Sequence, residues 1–157
     1  MPVELKDFSV QIKAKMDDVA KGWLTEWAHT VASVAKDNCQ MDDDGQLRGS
    51  YRADINPGAG EALIGTPLES GYWEEYGTGE YAVHGDGRKG WWVYKDGYEG
   101  NGGKQLTEAQ AKAIAAGKSD VHATNGRRPA ATLENAFVTT KPKMEADLAK
   151  RLGGNFG

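Results

Sequence analysis

The chain has little cysteine and no long apolar run, and both absences exclude whole classes of protein. Its single cysteine, Cys39, cannot form an intrachain disulfide, so we expect stability to come from a hydrophobic core or from neighbouring subunits. No run of about 18 apolar residues occurs, which excludes a membrane-spanning helix. The first eight residues have no apolar run behind a basic start, so we expect no secretory signal.

The chain also lacks the basic excess that is typical of dedicated nucleic-acid binders, because its formal net charge is -4 and its pI is near 5.4. Its length of 157 residues fits one domain, 1–157, with room for a real core. The 21 glycines and a mean hydropathy of -0.64 predict long, exposed connections.

No catalytic or metal-binding pattern is present. The three histidines, His29, His84 and His122, are scattered, and no C-x-x-C or H-x-x-x-H spacing occurs. A G-x-G-x-x-G match at 85–90 is followed by the strand-like Trp91 and Trp92, whereas a dinucleotide site needs a helix there. The sequence therefore predicts no catalytic residue, no metal, no cofactor and no enzyme. A small metal-dependent hydrolase built on His84, His122 and aspartates stays open as a remote alternative.

The N-terminal segment 3–38 has the clearest helical pattern, since apolar residues recur at steps of three and four without a proline. Such a helix would be about 50 Å long, more than a domain of this mass needs for its own core. Trp23 and Trp27 form a heavy apolar patch on it. The patch is explained by packing against a sheet or by contact with a partner.

Segment 43–79 reads as a hairpin followed by an aromatic segment. Alternating residues over 47–55 predict a strand with Arg48 and Arg52 on its polar face, and 61–65 predicts the returning strand. These arginines either reach a partner's carboxylates or are solvated. We expect a short helix over 68–76 that ends at Gly77.

The rings of the aromatic segment lie at helical spacing, with carboxylates on or near the opposite side. This arrangement is typical of a hydrophobic plug at the end of a sheet or of a surface that contacts another protein. The residues are Tyr72, Trp73, Tyr76, Glu74 and Glu75.

The second half of the chain predicts a long connection and then closing elements. Segment 80–119 is an extended loop, or a hairpin with a short helix capped at Thr107, and Arg88 and Lys89 at its tip meet phosphate, an acidic protein surface or solvent. Segment 120–152 predicts a closing strand and two C-terminal helices, broken at 139–140 and restarted at Pro142. Residues 153–157 form a tail.

Four short motifs, taken in order, resemble the tail-completion and neck protein family of long-tailed phages, which includes lambda minor tail protein Z. DDGQLRGS at 43–50 resembles D-T-G-x-L-R-x-S, and IGT at 64–66 resembles V-G-T. YWEEYGTG at 72–79 is similar to the end of Y-x-x-x-V-E-x-G-T-G, and RRPAATLENAF at 127–137 to R-P-x-P-F-L-x-P-A-F. The sequence departs from the family at Asp44 and Ala131, and 98–119 resembles an insertion.

The resemblance implies an α+β fold, in which a long N-terminal helix and a C-terminal helix cover an antiparallel sheet of about four strands with a long extended loop. It implies a virion protein, made in the host bacterial cytoplasm, that forms a ring with copies of itself at the neck or tail end. Adjacent neck and tail proteins are then its partners, and DNA passes through without sequence-specific binding. A tail terminator or head-closure ring protein is the alternative, and a host-directed inhibitor is a remote one.

The residues that we expect at protein interfaces are aromatic or charged and come from all parts of the chain. They are Trp23, Trp27, Arg48, Arg52, Trp73, Glu74, Glu75, Tyr76, Arg88, Lys89, Trp91, Trp92, Arg127 and Arg128.

Overall fold

The protein has a mixed α+β architecture, as the sequence predicts. The computed structural model describes residues 9–40, 45–96 and 105–154, with side chains from residue 13 onward. The predictions on 3–8, 43–44, 98–104 and 155–157 lie outside these residues. The helices are α1 (Ser9–Asn38), α2 (Gln46–Ser50), α3 (Glu69–Tyr76), α4 (Glu108–Ala115) and α5 (Thr132–Gly154), with a 3-10 turn at Gly79–Tyr81. The strands are β1 (Arg52–Asn56), β2 (Glu61–Gly65), β3 (Trp92–Lys95) and β4 (Val121–Thr124).

The chain forms two compact units. The described residues of Met1–Pro67 and Thr132–Gly157 form one, the helical unit, and Leu68–Ala131 forms the other, the inserted unit. The expectation of a single domain stays a prediction.

The helical unit is built on the long helix α1, whose apolar face lies against α5 and the hairpin β1–β2. Its buried residues Trp27, Ala28, Val31, Ala32 and Ala35 recur at steps of three and four, as the sequence pattern predicts. Most of them are small, and small side chains at a helix contact allow a close approach of the facing element. The predicted N-terminal helix is therefore confirmed over Ser9–Asn38.

The predicted hairpin is confirmed, but its first strand is shorter than expected. Strands β1 and β2 pair antiparallel, from Arg52 opposite Gly65 to Asn56 opposite Glu61. Residues 46–50 form the short helix α2, so the prediction of a strand from residue 47 is wrong. Leu47 and Tyr51 are both buried and lie four positions apart, a spacing that one helical turn satisfies as well as alternation does.

The C-terminal helix α5 runs unbroken from Thr132 to Gly154 with Pro142 inside it, so the predicted break at 139–140 is wrong. Proline removes a backbone donor and costs about 3 kcal/mol in a helix interior. Packing against α1 offsets this cost, because contacts of α1 with Met144 and Asp147 hold the helix beyond the proline. The helix begins after Ala131, whose φ of 50° is not helical.

The inserted unit contains a second, separate sheet. Strand β3 pairs antiparallel with β4, from Trp92 opposite Thr124 to Lys95 opposite Val121. The described strands therefore form two two-stranded sheets, and the predicted single sheet of about four strands is wrong. Helix α4 packs against both strands, and its predicted capping box at Thr107 is confirmed, with Gln110 as the reciprocal partner.

Candidate assembly surfaces

Two loops of the inserted unit are joined at the segment that ends α3. The N–H of Thr78 donates to the carbonyl of Arg127 at 2.9 Å, and the N–H of Arg127 donates to Thr78 Oγ1 at 3.0 Å. On either side, the N–H of Glu80 donates to the carbonyl of Asn125, and that of Ala130 to the carbonyl of Glu74. The turn after β4 is therefore fixed to the end of α3 by backbone bonds.

Glycines allow this close approach. Gly79 has a φ of +61°, and a Cβ there would lie 2.3 Å from the carbonyl oxygen of Asn125. A Cβ on Gly126 would lie 2.2 Å from the carbonyl oxygen of Thr78. Since real Cβ atoms do not come this close to backbone oxygens, this joint between the end of α3 and the turn after β4 requires glycine at both positions.

A fully buried carboxylate lies beside the joint. Glu74 is 0% exposed, and its Oε2 lies 3.7 Å from Nη2 of Arg127. A buried charge costs free energy unless it is compensated, so the arginine is a structural partner of Glu74. These two residues of the predicted interface set are thus brought together inside one copy of the chain.

A second joint lies in the helical unit. Ser50 Oγ and Thr66 Oγ1 are 2.5 Å apart and are separated by 16 positions in the chain, and Ser50 Oγ also donates to the carbonyl of Leu47 at 2.7 Å. The hydroxyl pair connects the end of α2 to the segment just after β2. This contact between two short polar side chains thereby joins the segment before β1 to the segment after β2, at the open end of the hairpin.

The two predicted interface tryptophans of α1 bind α5 instead of facing only solvent. Trp23 Nε1 donates to the carbonyl of Met144 at 3.0 Å, and Trp27 Nε1 donates to Asp147 Oδ2 at 2.9 Å. Trp27 is buried, and Trp23 is half-buried. Of the two explanations for this apolar patch, packing inside the protein accounts for Trp27.

Ion pairs extend the contact of Trp27 with α5. Arg151 lies 2.8 Å from Asp147 and 2.6 Å from Glu26. The hydrogen bond from Trp27 and the nearby guanidinium of Arg151 hold the pKa of Asp147 below its ordinary value of 3.8, against the opposing effect of burial. The hydrogen bond that Arg151 donates to Glu26, together with the nearby carboxylate of Asp147, raises the pKa of Arg151. The two long helices are thus joined by a charged cluster that favours the ionised carboxylate.

The predicted pair Arg48 and Arg52 does not share a strand face, because Arg48 lies on α2 and Arg52 on β1. Arg48 donates to the carbonyl of Cys39 at 3.4 Å. Arg52 lies with Asp54 and Leu63 on the exposed face of the hairpin, where Leu63 is 75% exposed. The two arginines therefore belong to different surfaces.

Three basic residues of the inserted unit, Arg88, Lys112 and Arg128, lie over aromatic rings. The guanidinium of Arg88 is 5.0 Å from the Trp92 ring centroid, and that of Arg128 is 4.8 Å from the Tyr81 ring centroid. Lys112 Nζ is 5.4 Å from the Trp91 ring centroid. Lys89, in contrast, is exposed. Cation–π contact orients these side chains along the unit's own surface.

Helix α3 presents an exposed aromatic face. The rings of Tyr72 and Tyr76 are 4.9 Å apart, and that of His84 lies 4.7 Å from Tyr76. Trp73 is exposed beside them, and Glu75 is half-buried. The predicted grouping of the rings on one side is confirmed, whereas Glu74 is inside the unit.

An apolar groove of about 270 Å³ lies in the helical unit between α1, β2 and α5. Trp23, Trp27, Ile64, Phe137 and Met144 line it. At its rim, Lys141 Nζ and Glu145 Oε1 are 3.9 Å apart. A concave apolar surface with a charged rim has the composition of a protein-binding site.

The histidines have separate surroundings. His84 stacks on the α3 tyrosines, whereas His122 contacts Asp96 at 2.8 Å and the ring of Tyr94. Within 9–40, 45–96 and 105–154 no cluster of three histidine, cysteine or acidic side chains has the arrangement of a metal site.

No helix in the described part of the chain is long and apolar enough to span a membrane.

Reasoning from the sequence selected Trp23, Trp27 and Arg127, but it missed other residues that make the joints and the groove. Ser50, Thr66 and Thr78 are short polar residues next to glycines or helix ends, and only their presence in the first three of the four motifs marks them. Phe137 and Lys141 carried no signal beyond helical spacing, because a groove depends on which helices pack together.

Comparisons of the chain with protein-family models, with curated proteins and with solved structures found no match.

Proposed function

We propose that this chain is a structural protein of a phage neck or tail end, where copies of it form a ring that completes the tail and joins it to the head. One observation carries the proposal: motifs that resemble the family are hydrogen-bonded in pairs. Ser50 of the first motif contacts Thr66 of the second, and Thr78 of the third contacts Arg127 of the fourth. Motifs that meet in space support a resemblance more strongly than motifs that only follow one another in sequence.

The surfaces of the two units support assembly with other proteins. The helical unit has an apolar groove, and the inserted unit has an exposed aromatic helix face. A ring needs two different surfaces on each subunit, because each copy meets one neighbour on either side. The function proposed is therefore structural, and the chain acts by binding its neighbours in fixed positions within the virion.

The charge of the chain fits a ring around DNA. With a net charge of -4, the protein repels phosphates on average, which lets a genome slide through instead of binding. Arg88 and Arg128 lie over rings of the inserted unit and Arg127 lies beside Glu74, so part of the positive charge is used within the unit. DNA then passes through the ring without sequence-specific binding.

The proposal is tested by complementation of particles in vitro. Heads and tails from a phage that lacks this chain are mixed with and without the purified protein, and infectious particles are counted. We expect the protein to restore head joining, and to be visible at the tail end by electron microscopy. Protein that leaves the titre unchanged, and binds neither tails nor heads, would contradict the proposal.

The order of addition separates the neck assignment from its alternative. Protein incubated first with tails, and then freed of excess, is expected to leave tails competent for joining. A protein that must bind heads first is instead a head-closure protein, and one that only sets tail length is a terminator.

A further inference from the structure

The groove of the helical unit is a concave apolar surface of about 270 Å³. Phe137, at its edge on α5, is 47% exposed, although it lines an otherwise apolar surface of α1, β2 and α5. The rim carries Lys141 on the same face of α5, one helical turn after Phe137. Glu145 lies at the same rim, with its Oε1 3.9 Å from Lys141 Nζ. A ligand for this groove therefore needs apolar rings, and an acidic group beside them would take the place of Glu145 at Lys141.

Helix α3 of the inserted unit has that chemistry. Glu69, Tyr72 and Tyr76 lie at positions i, i+3 and i+7, which places them on one face, and all three are exposed. The opposite face, with Gly71 and Glu74, is buried in the inserted unit. The helix sequence, ESGYWEEY, has acidic residues and no basic one.

We propose that α3 of one copy binds in the groove of a second copy, with Tyr72 and Tyr76 against the apolar wall and Glu69 at Lys141. This inference rests on the proposed ring and names the contact that builds it. Tyrosine suits the position because its ring packs on apolar walls while its hydroxyl reaches a polar rim. A short amphipathic helix in a groove is also a recurrent recognition mode.

The contact is heterologous, because the groove belongs to the helical unit and α3 to the inserted unit. Each copy then offers one groove and one α3, so addition continues until rotation closes a ring. The inference predicts that a substitution in either the groove or α3 stops assembly. It also predicts that a chain with a damaged groove and a chain with a damaged α3 still form a dimer with each other through their intact surfaces.

The first test measures the mass of the protein by sedimentation velocity over a range of concentrations. Phe137→Glu damages the groove, and the double change Tyr72→Ser with Tyr76→Ser damages the helix face. Each is expected to weaken the contact between copies at least about 30-fold, the loss typical of an aromatic hot spot. Val138→Glu and Tyr94→Ser are the matched controls, since both residues are exposed and neither lies on the two surfaces.

The second test mixes the two damaged chains. A mixture of the Phe137→Glu chain and the doubly substituted chain retains one intact groove and one intact α3, and is expected to give dimers that grow no further. A mixture that gives no dimer, or that gives full-size oligomers, would overturn the inference.

The third test exchanges the charges. Lys141→Glu or Glu69→Lys alone is expected to weaken the contact about fivefold, and the chain with both changes is expected to recover it. Thermal unfolding of every variant must match the wild type, so that loss of assembly is not loss of folding. Two single variants whose effects add in the double variant would also overturn the pairing.

Failure of the inference is distinguishable from failure of the proposed function. If both damaged chains still assemble, or if the wild type stays monomeric throughout, α3 does not occupy the groove of another copy. A chain that nevertheless restores head joining then keeps the neck function and builds its ring through other surfaces.

Discussion

The hydroxyl of Thr78 accepts the backbone N–H of Arg127, 49 positions away, while the N–H of Thr78 donates to the carbonyl of the same arginine. This half-buried threonine therefore makes two of the hydrogen bonds that hold the turn after β4 at the end of α3.

Thr78→Val removes the acceptor and keeps the shape of the side chain. We expect the free energy of unfolding to fall by about 1–3 kcal/mol, because the N–H of Arg127 is left without its acceptor. Thr78→Ser keeps the hydroxyl and should recover most of the loss. Urea unfolding followed by fluorescence measures both, and equal stabilities for the valine and serine chains would contradict the assignment.

Gly79→Ala tests the close approach of the two loops. A Cβ there would lie 2.7 Å from Trp92 as well as 2.3 Å from a backbone oxygen, so we expect a loss above about 3 kcal/mol. Gly85→Ala is the matched control, because Gly85 also has a positive φ, +73°, but nothing lies within 4 Å of its Cβ position. It should cost about 1–2 kcal/mol, from backbone strain alone. Similar losses for both would mean that crowding is unimportant.

Arg127→Ala should destabilise the chain more than Arg128→Ala. The first change leaves the buried carboxylate of Glu74 without its guanidinium, and we expect a loss of about 3 kcal/mol, at the low end for buried pairs because Arg127 is 41% exposed. The second removes only a contact with Tyr81, for about 0.5–1 kcal/mol. Thermal and urea unfolding compare them, and the reverse order would contradict the role of Arg127.

Asp147 should make the helical unit acid-sensitive. Its folded-state pKa is held below 3.8 by Trp27 and Arg151, so ionised Asp147 stabilises the fold above the unfolded pKa. That stability is lost as the pH falls below 3.8 through the folded pKa. Asp147→Asn should flatten this part of the curve of unfolding free energy against pH, measured from pH 6 to pH 2 (about the range over which carboxylates titrate). An unchanged curve would exclude Asp147 as the source.

Pro142→Ala should stabilise α5. Alanine restores the backbone donor that proline lacks and removes the ring clash, a gain of up to about 3 kcal/mol, reduced by the greater freedom of the unfolded chain. Lys143→Ala, at the next position, is the control and should change stability by less than about 0.5 kcal/mol. Differential scanning calorimetry measures the shift, and a lower melting temperature for Pro142→Ala would show that the proline is needed.

The sequence correctly predicted those helices and turns that depend on residues close to one another in the chain. The apolar repeat of α1, the turn between β1 and β2, and the capping box at Thr107 each depend on residues within a few positions of one another. The α+β fold class, which the resemblance implied, is confirmed.

Errors occurred where distant parts of the chain decide the outcome. Residues 46–50 alternate like a strand, but burial of Leu47 and Tyr51 is satisfied by a helical turn. Pro142 was read as a break because its cost is local, whereas the compensation comes from α1. The partner of β3 lies beyond α4, and no local pattern identifies it. The groove and the joints of the candidate site are likewise products of long-range packing.

The inserted unit interrupts the helical unit in the chain, and this has a consequence for synthesis. Trp23 meets Met144 only after 121 further residues have been made, which takes about 6–24 s at roughly 5–20 residues per second. During this time the apolar stripe of α1 has left the ribosome without its partner helix. Residues 68–131 emerge as one continuous stretch and are complete before α5 exists. We therefore expect nascent chains of this protein to be clients of chaperones at α1, until the last helix is released.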